Sequence, residues 1–452
     1  MNGSRKPMQV VIVGAGQVGL NIAASLSENH DVVVIDTSPE KVEQLTYSID
    51  VLAIEGDGTS LETLQEASIA EADMLIASTD DDETNLVTCG TAKTVSDAFT
   101  IARVRNEIFF NTWELSEGAF GVDFMVSTNL LTADNIARIV GLPAAVDVET
   151  YSGGLVQMAE FELMEENELV GQTVAEADQF EALTFAAIAR DEDIIIPDGD
   201  SLIEAGDRVI IIGEAASIRA FSRTVTPATV PDKSNDIVIV GGSDIGYHTA
   251  RRLEGQDIEP RLIEQDAHRA QELAETLQHT LVLNNDATDT EFLRSENIGQ
   301  VGTLITATDS DEKNLLVSLL AKDVGVQRTV AIVEDGEYAP LFEAVGVDVA
   351  VNPREVTAEE IIRFTQEGQI ENLSLVENRQ AEVIEIEVTE ESVLADRPIN
   401  ESITDLPSEV VIGAVTRGRE FIVPRGETII KPGDHVVLFV STHILSEVMN
   451  AI

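Results

Sequence analysis

The segment Gly14-Ala15-Gly16-Gln17-Val18-Gly19 has the residue types and spacing of a phosphate-binding turn. It follows the apolar run Gln9–Val13 and opens a helix-period stretch, Gly19–Glu28; a second run, Val32–Ile35, leads into Asp36. In that setting Gly14 permits a tight turn, Gly16 lets a pyrophosphate approach the backbone, and Gly19 lets the helix pack closely on the sheet. The helix N-terminus, with Gln17 and Val18 in its first turn, offers free N–H groups and a positive dipole end to the phosphate. Asp36 lies 20 residues after Gly16, the spacing at which an acid accepts hydrogen bonds from adenosine ribose hydroxyls and repels a 2′-phosphate. That favours NAD(H) over NADP(H) and also admits ADP or ATP. The alternative is a glycine turn used only for packing.

Further positions fall at the ends of the following runs. Asp57, in Gly56-Asp57-Gly58-Thr59 after Val51–Ile54, either meets adenine or caps its own loop. Thr79 opens an acidic run, Asp80-Asp81-Asp82-Glu83, between Met74–Ala77 and a helix through Asn85–Lys93. Acids there are favoured by capping and by the helix dipole; the functional alternatives are contact with a ligand ribose or a cation. Arg103, in the fifth run Thr100–Val104, is either a phosphate-neutralising group or a surface ion pair.

These features recur. Val10–Gly19 (VVIVGAGQVG) returns 227 residues later as Ile237–Gly246 (IVIVGGSDIG). Gly56–Thr59 returns as Asn285-Asp286-Ala287-Thr288, and Thr79–Asn85 as Thr308–Asn314. Ile194–Asp207 (IIIPDGDSLIEAGD) returns as Phe421–Asp434 (FIVPRGETIIKPGD), so a tandem duplication covers nearly the whole chain. In the second copy Gly241, Ser243 and Gly246 stand for Gly14, Gly16 and Gly19, Glu264 stands for Asp36, and Asp286 for Asp57. Ser243 adds a side chain at the close-approach position, while Ile332 and Glu334 replace Arg103 and Arg105. The expectation is a first site for NAD(H) or a related nucleotide and a second that binds weakly, differently or not at all.

The elements that position these residues are strands alternating with helices, which implies an α/β fold: a parallel, Rossmann-like sheet covered on both faces. A helix over Leu131–Val140, opened by Thr132, leaves the first sheet; its counterpart is near 357–366. These helices join lobes or subunits, or pack on their own lobe. A small α+β module follows each sheet. The expected boundaries are 1–143 and 144–226 for the first copy, a Pro-rich linker at 227–235 (PATVPDKSN), then 236–370 and 371–452.

Composition sets the conditions. Asp and Glu number 82 against 28 Lys and Arg, a formal charge of −54, yet 44% of residues are hydrophobic, so the chain folds. Such a surface is tolerable where salt shortens the Debye length to about 3 Å, which suggests a salt-loving source. The charge excludes nucleic acid as a direct partner. No apolar run reaches the length of a membrane span. Arg5 and Lys6 before Val10–Val13 superficially resemble a signal peptide, but that run flows into the glycine turn and reads as a first strand. The lone Cys89 suits a reducing compartment, and the six His show no metal-ligand spacing. The small modules offer no His, no Cys and no Lys pair in a catalytic-looking setting, which favours nucleotide sensing over turnover.

The ordered set of GAGQVG at 14–19, Asp36, GDGT at 56–59, TDDDETN at 79–85, Arg103 and the PDG…AGD pattern at 197–207 with its copy at 424–434 resembles the TrkA family, the regulatory subunits of Trk-type potassium uptake systems, and more broadly the RCK or KTN domains. The resemblance implies an RCK N-terminal lobe and a TrkA-C lobe in each copy. It implies NAD(H), and as further candidates ATP or ADP, as the ligand of a non-enzymatic, cytoplasmic protein. It also implies a homotetramer whose eight lobes form a ring on a membrane potassium transporter subunit (TrkH-like). The alternatives are an NAD-dependent oxidoreductase with a duplicated Rossmann unit, and a nucleotide sensor for another cation channel.

Overall fold

The computed structural model describes residues 7–27, 29–116, 118–142, 144–165, 167–190, 193–225, 236–256, 258–366, 370–376, 381–407, 409–418 and 420–452. The expected linker at 227–235 lies outside them.

In the first copy, β1 (Gln9–Val13) reads QVVIV, and its last four residues are buried. A strand apolar on both faces belongs at the centre of a covered parallel sheet. It pairs in parallel with β2 (Asp31–Asp36) and with β4 (Met74–Ala77); β3 (Leu52–Glu55), β5 (Phe99–Val104) and β6 (Phe124–Ser127) extend the sheet to the order β3-β2-β1-β4-β5-β6. The order reverses between β1 and β4, so the crevice above their C-terminal ends is the expected ligand position. The covering helices are α1 (Gln17–Leu26), α2 (Pro39–Ser48), α3 (Leu61–Glu66), α4 (Asp82–Ala92), α5 (Glu107–Glu114) and α6 (Thr128–Val140). The sequence pattern reaches five of the six strands and misses β6 and α5. It also begins α6 too late. Thr132 is inside the helix, its Oγ1 donating to Thr128 O at 2.8 Å, so it back-bonds rather than caps.

The second copy repeats this as a six-stranded parallel sheet running from Leu281–Asn284 through Ile237–Val240 to Val349–Val351. The small modules are five-stranded antiparallel sheets, each with one central strand, Arg208–Glu214 or His435–Ser441.

The duplicated halves regroup by type. One compact unit holds residues 1–135 and 237–362, both parallel sheets; the other holds 136–236 and 363–452, both antiparallel sheets. Within the second unit the two sheets share one apolar core, Tyr151, Met158 and Ile212 meeting Val383, Val437 and Phe439. Gly413 is required there, since a Cβ would fall 2.5 Å from the Ile212 side chain. The opposite face of the first antiparallel sheet is covered by the helix Ala215–Val225, whose Phe221 packs on Phe161 at 5.2 Å between ring centroids. Within the first unit, α6 meets the helix Pro353–Gln366 through Thr128 and Thr357, whose hydroxyls are 3.1 Å apart and buried. The lobe-joining reading of these helices is the one the geometry follows.

Candidate nucleotide site

The glycines of the first turn do three separate jobs. Gly14 has φ +105°, a left-handed conformation that L side chains rarely adopt, and a Cβ there would lie 2.9 Å from Thr79 N. Gly19 is a packing residue, because a Cβ would fall 1.8 Å from Gly14 O. Gly16 has φ −78° and nothing within 4 Å of where its Cβ would stand. A side chain there would project into the crevice. Gly16 is also the N-cap of α1 and supplies no side-chain acceptor, so the helix start is open to an anion. Val18 is buried in the core, leaving its backbone N–H as its only polar offering, and the Gln17 side chain lies against Gly336 of the second copy.

Around this turn is a cavity of about 490 Å³, lined by the glycine turn, Asp36, Asp57, Thr79, Asp80 and Arg103, and by Arg354 from the second copy. Asp36 Oδ2 accepts from Ala15 N at 2.6 Å and Oδ1 from Ser38 N at 2.8 Å. It therefore locks the turn to the end of β2 while lining the cavity, with Lys41 Nζ 3.8 Å from its Oδ2. Asp57 lies two residues beyond β3 rather than at its end, and its Oδ1 accepts from Thr59 N and Oγ1 at 2.9 and 2.7 Å. Those two bonds hold its carboxyl below the usual range, and they give it the loop-capping geometry.

The acidic run is largely absorbed by the backbone. Asp81 caps α4 by accepting from Thr84 N at 2.7 Å, and Asp82 accepts from Arg105 N and Asn106 N. Thr79 donates through N and Oγ1 to Asn85 Oδ1, while Asn85 Nδ2 donates to Arg103 O at 2.9 Å. Buried Asn85 thus stitches the ends of β4 and β5, a role that the sequence pattern alone does not announce; its recurrence as Asn314, bonded to Ile332 O, is the signal that could have found it.

Arg103 is not a surface residue. Its side chain is 2% exposed; Nε donates to Thr128 Oγ1 at 3.1 Å and Nη1 to Asp80 Oδ1 at 3.1 Å. Burial lowers its pKa, the neighbouring Arg105 adds to that, and Asp80 opposes it. Burial would raise the Asp80 carboxyl, but Arg103, then Arg354 and Arg105, together hold it below its usual value.

The second turn is built the same way and finished differently. Gly241 has φ +106°, a Cβ on Gly246 would clash with Gly241 O at 2.1 Å, and Glu264 accepts from Gly242 N and Asp266 N at 2.6 and 2.7 Å. Ser243, however, caps its helix with its own hydroxyl, which accepts from Gly246 N at 3.2 Å and donates to Ala307 O at 2.7 Å. Arg269 Nε bonds Gly242 O at 2.8 Å, so its side chain lies against the turn. Asp286 repeats Asp57, accepting from Thr288 N and Oγ1. One N–H group of this helix start, that of Gly246, is thus engaged from within the chain.

A TrkA-N domain model matches residues 10–128 and 237–353, and a TrkA-C domain model matches 158–226 and 383–452. The chain belongs to the TrkA family. Among relatives, Trk system potassium uptake protein TrkA homolog 1 of Methanosarcina mazei is 38% identical, covering 98% of this chain and 99% of its own. The TrkA homolog of Archaeoglobus fulgidus is 36% identical over 96% of this chain and 97% of its own, and TrkA of Halomonas elongata 33% over 96% of each. In fold the chain is similar to the GsuK channel, with TM-score 0.60 and 19% identity over 99% of this chain and 79% of that one, and to the GsuK channel bound to NAD, with TM-score 0.59. No helix among the described residues is long and apolar enough to cross a membrane.

Proposed function

We propose that this chain is the nucleotide-sensing regulatory subunit of a potassium uptake system. The observation that carries the reading is the first crevice, where an uncapped helix N-terminus, an open Gly16 and a buried Arg103 converge on one cavity. The residues present fit a dinucleotide or an adenine nucleotide: Asp36 at the ribose end, the 14–19 turn for the phosphates, Arg103 at the far end. The relatives named as potassium uptake proteins, and a structural neighbour bound to NAD, support NAD(H) as ligand and potassium transport as context. ATP and ADP are alternative ligands of the same cavity.

The relatives are named as potassium uptake proteins, which supports sensing without hydride transfer. The finer reading is a homotetramer in which eight Rossmann-like lobes form a ring on a TrkH-like membrane subunit, at the inner face of the membrane and in a salt-rich cytoplasm. A ligand gates such a ring only by binding one arrangement of lobes more tightly than another. Titration with NADH, NAD, ATP and ADP in molar KCl, with NADH absorbance followed, tests this. Saturable binding of about one nucleotide per chain is expected on the mass-action view. Absence of binding by all four, or sustained NADH oxidation, would overturn it.

A further inference from the structure

Three guanidiniums meet at one end of the first site, and one of them comes from the other copy. Arg103 and Arg105 both reach Asp80 Oδ1, at 3.1 and 3.2 Å. Arg354, in the first turn of the helix Pro353–Gln366, lines the same cavity as Arg103 and Asp80. Its Nη1 donates to Glu334 O at 3.0 Å, and the Glu334 carboxylate lies 3.9 Å from Arg354 and 4.0 Å from Arg105. Two carboxylates, 62% and 40% exposed, therefore face three guanidiniums, of which Arg103 is almost wholly buried. Arg103 Nη2 is itself buried without a hydrogen-bond partner. A buried charged donor left without an acceptor bears its desolvation cost uncompensated. An anion seated there relieves that cost.

The second site has none of these three charges. The repeat puts Ile332, Glu334 and Asn129 at the positions of Arg103, Arg105 and Arg354. Asn129 donates to Arg105 O at 3.0 Å and lies 3.5 Å from Asp244, the residue standing for Gln17. Both copies thus contribute positive charge to one site. The cluster stands on the β4–β5 side of the crevice, whereas Asp36 and Asp57 stand on the β2–β3 side. A nucleotide whose adenosine lies over Asp36 directs its other end at the arginines. That end is a phosphate in ATP and a neutral nicotinamide riboside in NADH.

We propose that Arg354 is a specificity-determining residue of the first site, taking with Arg103 the terminal phosphate of a nucleoside triphosphate, and that Asp80 is the resident carboxylate this phosphate displaces. The assignment rests on the nucleotide reading above and names what the far end of the site selects. In this arrangement the second copy completes the first site. Because the contact crosses from one lobe to the other, a terminal phosphate biases their arrangement in a way a neutral end does not.

The test is the ratio of ATP to NADH affinity in molar KCl for the full chain and for Arg354→Gln, Arg354→Lys and Asp80→Asn. Arg354→Gln is expected to weaken ATP about tenfold, equivalent to ~1.4 kcal/mol, while NADH changes about twofold or less, well under 1 kcal/mol on the same scale. Arg354→Lys restores part of the loss, because it keeps charge but not the fork. Asp80→Asn removes the resident carboxylate from Arg103 and raises the ratio of ATP to NADH affinity. Equal loss of both ligands in Arg354→Gln would make Arg354 structural and overturn the proposal, as would an unchanged ATP affinity. Those results leave the nucleotide reading standing. A chain that binds neither ligand would sink that reading and the role of Arg354 together.

Discussion

Gly16 and Gly19 share a turn, and one methyl group separates their roles. Gly16→Ala places a Cβ in the crevice at a φ of −78° that alanine adopts freely, so the fold is kept and the phosphate is blocked. Gly19→Ala drives a Cβ to 1.8 Å from Gly14 O, so α1 must shift off the sheet, at about 1–3 kcal/mol or more. The expected pattern is a melting temperature close to the parent's with nucleotide binding lost for Gly16→Ala, and a lowered melting temperature for Gly19→Ala. Equal destabilisation of both would refute the division of labour. Cys89 gives a plainer check. Burial, helped by Asp123, pushes its thiol up to about 12, so a maleimide should label it at neutral pH only after unfolding.

At the scale of elements, the repeated Ala205-Gly206-Asp207 and Pro432-Gly433-Asp434 corners carry more than a turn. Each ends in a buried aspartate held by a forked arginine: Arg190 Nε and Nη2 on Asp207 at 2.7 and 2.8 Å, Arg417 on Asp434 at 2.7 and 2.6 Å. Each arginine also bonds a backbone carbonyl, Leu202 O or Ile429 O, so the fork fastens the corner to the adjoining hairpin. Burial would raise the Asp434 carboxyl, but the Arg417 fork and the Lys431 N–H override it and hold it below its usual value. A depressed carboxyl stabilises the fold above its unfolded pKa of about 3.8, and that contribution is lost as pH falls through the folded value. Asp434→Asn should cost about 2–3 kcal/mol at neutral pH, less than a fully buried pair because Arg417 is 39% exposed, and should flatten the acid limb of the stability curve. Urea melts at pH 7 and pH 3 measure both; an unchanged pH dependence would show that the fork contributes nothing.

For the molecule as a whole, legibility followed the range of the interactions. The α/β class and the duplication are written in local pattern, and the structure keeps them, as it keeps the tight turn at Gly14 and the close packing at Gly19. Arg103 was legible as a residue but its burial was not, because Thr128 and Asp80 reach it through tertiary packing. Arg354 was invisible: nothing local marks a first-turn arginine whose neighbours lie in the other copy. The regrouping of like sheets was equally hidden, since apolar strand faces such as those of Val383 and Ile212 read the same whichever partner covers them.

The charge of −54 is the property that acts on every scale at once, and it gives the last expectation. Exposed carboxylates repel over about 10 Å at 0.1 M salt and about 3 Å at 1 M. The arginine forks and Arg103 are buried or half-buried, so salt screens them less than it screens the surface. Raising KCl therefore removes repulsion faster than it removes attraction, and the melting temperature should climb steadily from 0.1 M toward molar KCl on that screening argument. NaCl should act alike, because screening does not distinguish the two cations. Sucrose at matched osmolality separates screening from general exclusion effects, since it carries no charge. A melting temperature that is flat or falls with KCl would mean that the acidic surface is not the factor limiting stability. In that event the buried pairs, weakened by salt, would be the dominant electrostatic contribution.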